Sequence, residues 1–120
     1  MASSGAEPTI FSRIAAREIP ATIVAETDDI IAFNDIAPQA PVHVVVTTKS
    51  PEYRNVGELA AGNPALLAEL IAVAGRVADE HCGSEYRLIF NTGSSAGQTV
   101  FHVHAHVLGG VLEEGTLAAL

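Results

Sequence analysis

Two hydrophobic periods organise this 120-residue chain. One is helical. Leu66, Leu70, Val73 and Val77 form a stripe, with Leu67, Ile71, Ala74 and Ala78 beside it. That spacing predicts a long helix with one buried face. Asn63-Pro64 supplies a cap residue followed by proline at the first helical position, and Gly83 a stop just past His81-Cys82. A shorter helical pattern runs from Thr9 to Ile19, with Thr9 as N-cap and Pro20 closing it.

The other period is that of strands. Thr22–Glu26, Ile30–Asn34, Val42–Thr47 and Tyr86–Asn91 read as short strands, Val42–Thr47 being strongly β-branched. Asp28-Asp29 marks a tight turn, which favours antiparallel pairing of the first two. A fifth run, Val100 to Gly110, alternates strictly: Val103, Ala105 and Val107 toward a core, His102, His104 and His106 toward the opposite face. The order is short helix, three strands, long helix, two strands. It predicts an α+β fold, a five-stranded antiparallel sheet carrying one long and one short helix. Residues 1–8 are small and polar and are expected to be a disordered tail before a single domain over 9–120.

Composition narrows the function. The net charge is −8, with only six Lys and Arg. That disfavours nucleic acid and anionic membranes as partners, because both reward clustered positive charge. A single nucleotide is still compatible, since a few backbone amides can hold it. Cys82 is the only cysteine, and no apolar run approaches a membrane span. A cytoplasmic protein is expected.

Candidate chemistry concentrates in the histidine row. A structural role is disfavoured, because each imidazole on an apolar strand needs its own partners. Zinc is a second reading. Neighbouring rings could share an ion, but His102 and His106 lie about 13 Å apart along an extended strand, so all three cannot. Zinc is therefore expected at most as an adventitious guest, with no dedicated metal or cofactor. Catalysis is the third reading. A central imidazole flanked by two others offers a nucleophile with neighbours that fix its tautomer. The small-residue loop Thr92–Gln98 just upstream can turn backbone amides toward an anion.

The row His102-Val103-His104-Ala105-His106-Val107-Leu108, followed by Gly109-Gly110, resembles the histidine triad (HIT) family, and its Hint branch in particular. Thr9-Ile10-Phe11, Arg17-Glu18-Ile19-Pro20, Asp35 to His43 and Gly97-Gln98-Thr99-Val100 resemble Hint segments in the same order, so the likeness covers residues 9 to 110. It implies a HIT fold that dimerises, through the long helix and nearby strands, into a continuous sheet. It implies hydrolysis of purine nucleoside phosphoramidates or aminoacyl adenylates, releasing a nucleotide such as AMP, without metal. By the same resemblance His104 is the nucleophile, His106 contacts the phosphate oxygens, and His102 and His43 are supporting histidines. Asn91 and Thr99 match polar contacts to the phosphate and leaving group, Thr99 standing where the family usually has Ser; the backbone amide of Val100 matches another phosphate contact, and Gln98 is expected among the nucleotide-binding residues. Asp35 matches the acid on the ribose hydroxyls. Ile10, Phe11, Ile14, Phe33, Ile36 and Val45 match the apolar walls around the purine. Animal members carry a C-terminal Trp that reaches the partner subunit's site; this chain has no Trp and ends Glu113–Leu120. A non-catalytic nucleotide-binding or protein-interaction module is the alternative expectation.

Overall fold

A computed structural model describes residues 6–113. Helix α1 (Ile10–Ala15) leads into strands β1 (Ile23–Glu26), β2 (Ile30–Asn34) and β3 (Val42–Thr48). Helices α2 (Val56–Gly62) and α3 (Pro64–Cys82) follow, then β4 (Tyr86–Ile89), one 3-10 turn (Ser94–Ala96) and β5 (His104–Gly109). The strands form one sheet in the order β1-β2-β3-β5-β4, and every neighbouring pair is antiparallel. The expected five-stranded antiparallel sheet is present. The tail expected over residues 1–8 lies outside the described residues up to residue 5, and so do residues 114–120.

Alternation along the strands divides the buried residues between the two faces of the sheet. Ala32, Val44, Val46, Ala105 and Val107 join Leu70, Val73, Ala74 and Val77 of α3 and Leu59 of α2 in the main core. Phe33 and Val45 join Phe11 and Ile14 of α1 in a smaller cluster. The α3 boundaries match the sequence signals. Asn63 caps its first turn, accepting from the Leu66 amide at 3.1 Å, and Gly83 ends it in the left-handed conformation at φ 69°.

Four features depart from expectation. The first is α2, a second short helix that the apolar periodicity does not announce. Asn55 caps it by accepting from the Glu58 amide at 2.9 Å. The second is the end of α1, which Pro20 does not set. Arg17 takes a left-handed conformation at φ 65°. The Arg17 amide then reaches the Ile14 carbonyl and the Glu18 amide the Arg13 carbonyl, the pair of bonds that closes a helix four residues early. The third is β4, which ends at Ile89 rather than Asn91.

The fourth matters most for the site. The fifth strand begins at His104, not at Val100. Its register with β3 stops at the pair Thr47 and His104. Beyond it the Val103 amide donates to the Tyr53 carbonyl, and the Thr47 hydroxyl donates to the Val103 carbonyl. His102 therefore sits at a bend in the chain just outside the ladder.

Candidate active site

On the face opposite α3, a cavity of about 910 Å³ opens between α1, the sheet and the 91–100 loop. That is the size range of small-ligand pockets. His104 and His106 line it, and His43 lies beside them. His43 and His106 sit on adjacent antiparallel strands, His43 opposite Leu108 and His106 opposite Val45. They are diagonal neighbours on one face, close enough for ring contact. Their rings meet at 5.0 Å, and those of His104 and His106 at 5.1 Å.

The hydrogen bonds fix where each proton resides. The Gln39 amide donates to His43 Nδ1 at 3.0 Å, so the neutral His43 ring carries its proton on Nε2. That N–H donates to His106 Nδ1 at 2.9 Å, with Asp35 Oδ2 at 3.4 Å as a second neighbour. His106 Nδ1 is thus an acceptor, which leaves the His106 proton on Nε2. His104 Nδ1 lies 2.8 Å from the His102 carbonyl. A carbonyl only accepts, so Nδ1 bears the proton and His104 Nε2 keeps a bare lone pair. One ring offers a nucleophilic nitrogen and its neighbour a donor.

Burial keeps these rings neutral. It pushes His102 and His106 down to about 4, aided at His106 by the charges His104 and His43 would carry. It also pushes His43 and His104 below the ordinary histidine value. Asp35 opposes the shift at both, and the bond to the His102 carbonyl opposes it at His104.

The predicted wall residues Ile10, Phe11, Ile14, Phe33, Ile36 and Val45 all line the cavity, as do Asp35, Asn91, Thr99 and Val100. The Phe11 ring stands edge-on to His104 at 4.8 Å. Asp35 Oδ1 accepts from the Ala37 amide at 2.8 Å, which fixes the carboxylate at the rim.

Two predicted site residues lie behind the cavity instead. His102 is wholly buried, its Nε2 2.6 Å from the Thr48 carbonyl and its Nδ1 2.6 Å from the Thr9 hydroxyl. Gln98 is also buried. Its Oε1 accepts from the Gly93 amide at 2.9 Å, and its Nε2 donates to the Arg54 and Val100 carbonyls at 2.7 and 3.0 Å. With those bonds made, Gln98 shapes the loop rather than facing a ligand. Sequence reasoning did not single out Gln39 and Thr48, which hold His43 and His102. An isolated Gln or Thr on a loop or strand end carries no signal of such a role. Ser95, Ala96 and Gly97, part of the expected anion loop, line the cavity as well.

Among the described residues, one trio could bring three metal-ligand atoms together. Asp35, His43 and His106 place theirs within 4.8 Å of one another. The His43–His106 proton occupies that space, so an ion would have to displace it.

A scan against family models matches the HIT domain over residues 16–111. The chain belongs to the HIT family. It is 50% identical over 109 residues to an uncharacterized HIT-like protein of Synechocystis, covering 88% of this chain and 92% of that one. It is 43% identical over 107 residues to the purine nucleoside phosphoramidase of Escherichia coli, covering 88% and 89%. Among solved structures, a HIT family hydrolase from Clostridium thermocellum superposes with TM-score 0.82 at 44% identity, covering 88% of this chain and 93% of that one. A HIT family hydrolase from Legionella pneumophila gives 0.81 at 40% identity, covering 88% and 95%. With hydrolases on both sides of the comparison, this HIT chain is hydrolase-like. No helix among the described residues is long and apolar enough to cross a membrane.

Proposed function

We propose that this HIT protein hydrolyses purine nucleoside phosphoramidates or aminoacyl adenylates to a nucleoside monophosphate, with His104 as nucleophile. The single observation that carries this reading is the His104 tautomer. Its Nδ1 proton is tied to the His102 carbonyl, which leaves Nε2 bare on a ring lining the cavity.

In the first step the Nε2 lone pair forms a bond to the α-phosphorus. The bond from phosphorus to the leaving amine breaks, the amine departing with a proton taken from solvent; in an adenylate the bond to the acyl oxygen breaks and the acyl group departs as a carboxylate. The His106 Nε2–H and the Val100 amide donate to the phosphate oxygens, where charge builds up. Thr99 and Asn91 serve the leaving-group side. In the second step water attacks the phosphorus of the nucleotidyl-histidine and gives up a proton to solvent, the phosphorus–nitrogen bond to His104 breaks with its electron pair returning to Nε2, and AMP leaves with the ring neutral again. Asp35 accepts from the ribose hydroxyls, and the cluster of Phe11, Ile14, Phe33 and Val45 takes one face of the purine.

The active form is a homodimer in this reading. β4 is an edge strand, and Ile71 on the neighbouring helix is 42% exposed, so a second copy would extend the sheet and cover apolar surface. Sedimentation at micromolar concentration should give twice 12.4 kDa.

The test is turnover of an adenosine phosphoramidate before and after exhaustive chelation. Activity should survive the chelator, and added zinc should inhibit, because a metal on His104 Nε2 occupies the attacking lone pair. AMP binding without turnover would favour the non-catalytic module. Loss on chelation with recovery on zinc would overturn the nucleophile assignment.

A further inference from the structure

The hydroxyl of Thr9 has one proton and two jobs. It accepts from the Ser12 amide at 3.2 Å, which caps α1. It also lies 2.6 Å from His102 Nδ1, across 93 residues of sequence. The direction of that second bond follows from the far side of the ring. His102 Nε2 is 2.6 Å from the Thr48 carbonyl, which can only accept. The Thr48 hydroxyl, 3.2 Å from the same nitrogen, gives its own proton to the Ser50 carbonyl at 2.7 Å. The neutral His102 ring therefore carries its proton on Nε2, its Nδ1 is bare, and the Thr9 hydroxyl must donate to it.

What this bond holds in place is the wall of the cavity. Helix α1 has six residues, too few to be stable by itself, so its position depends on ties to the rest of the fold. Its Phe11 stands 5.6 Å from the His102 ring and 4.8 Å from the His104 ring. The residue just before α1 is thus hydrogen-bonded to the first histidine of the row, and the residue one place inside it packs on the second.

We propose that Thr9 is a positioning residue of this site: its hydroxyl pins helix α1 to the His102 ring and so sets the place of Phe11 against His104. A plain helix cap would need only the Ser12 bond. The pin couples nucleotide binding to the histidine row through a residue that itself touches no ligand. His102 then serves the site at both ends, its ring holding the wall helix and its backbone carbonyl holding the His104 tautomer. The activity arm of this proposal rests on His104 being the nucleophile; the structural arm does not.

The experiment follows the imidazole nitrogens by 15N NMR and measures AMP affinity. In the unaltered protein, His102 should show a proton on Nε2 and a bare, hydrogen-bonded Nδ1. A proton on Nδ1 would overturn the proposal without any variant being made. Thr9→Val keeps the shape and removes the hydroxyl. It should shift the His102 Nδ1 resonance toward that of a free acceptor and loosen AMP about tenfold, the worth of one buried hydrogen bond. Thr9→Ser should restore both. Ser12→Ala is the control for capping alone. The Ser12 hydroxyl accepts from the Thr9 amide at 2.8 Å and donates to the Thr9 carbonyl at 3.0 Å, and its loss leaves the bond to His102 intact. Ser12→Ala should weaken α1 yet leave the His102 resonances unmoved. If it loosens AMP as much as Thr9→Val does, or if Thr9→Val leaves His102 Nδ1 unchanged, Thr9 is a cap and nothing more. Absence of turnover in the unaltered protein would count against the proposed hydrolysis and leave the NMR arm standing.

Discussion

The two faces of the sheet are built from alternate residues of the same strands, and they are put to opposite uses. In β5, Ala105 and Val107 face α3, while His104 and His106 face the cavity. In β3, Val44 and Val46 face the helix, while His43 and Val45 face the other way. The helix face is closed and apolar, and its residues stabilise the fold by burial alone. The cavity face buries imidazoles, and burial there costs free energy that hydrogen bonds offset. Among the described residues, no buried side-chain nitrogen or oxygen lacks a partner. The comparison shows how one strand can serve both purposes: a period of two lets stability and chemistry vary independently.

His104→Ala breaks the cavity face most sharply. Removing the nucleophile should lower turnover by several orders of magnitude. AMP should still bind, because Asp35 is untouched and the Thr9 hydroxyl still ties α1 to the His102 ring. Substantial turnover in the purified variant would remove His104 from its role. Leu70→Ala is the counterpart on the helix face. Leu70 is wholly buried in the main core, so its truncation should cost about 2–5 kcal/mol in urea unfolding. The rate constant of the molecules that remain folded should not change. A large fall in that rate constant would mean the faces are not independent.

Lowering the pH sharpens the contrast without mutation. His102 is held near 4 in the folded chain against about 6.5 in an unfolded one. A depressed value means the unfolded chain takes up the proton first. The stability of the neutral buried ring is therefore fully present above pH 6.5 and is lost progressively as the pH falls toward 4, by up to about 3 kcal/mol from this ring. His106, also near 4, acts in the same direction. The urea midpoint should drop over that window. The acid limb of turnover reports His104, whose value burial lowers, so it should lie below the ordinary histidine value. An acid limb above pH 7 would contradict the burial of this ring.

The sequence makes the helix face almost fully legible. A stripe at Leu66, Leu70, Val73 and Val77, a cap at Asn63 and a stop at Gly83 are local signals, and the structure keeps each of them. The histidine row and the cavity walls are legible too, the row by its alternation and the walls by family resemblance. What could not be read is which way long-range bonds run. Thr9 meets His102 across 93 residues and Thr48 meets it across 54, and no local pattern announces either. Gln98 stands in a stretch expected to contact the ligand, yet its amide is used up on three backbone groups. The early start expected for β5 fails for a similar reason: the Val103 amide and carbonyl go to Tyr53 and Thr47 outside the ladder.

Helix α2 gives the smallest effect and the closest test of separation between the faces. Its sequence holds Gly57 and Gly62, which weaken any helical pattern, but Asn55 followed three residues later by Glu58 is a legible start signal. Leu59 of α2 belongs to the helix-face core. Arg54, just before the cap, gives its carbonyl to Gln98 and so touches the loop of the other face. Asn55→Ala removes the bond to the Glu58 amide and should cost about 1 kcal/mol of stability. The Arg54 amide is still held by Glu58 Oε1 at 2.9 Å, so its carbonyl should stay in place and AMP affinity should hold. Urea unfolding and AMP titration on the same variant decide the matter. An AMP affinity weakened about tenfold, equivalent to about 1.4 kcal/mol, would show that the cap of α2 reaches the cavity through Arg54 and Gln98. The two faces would then be coupled at this one crossing.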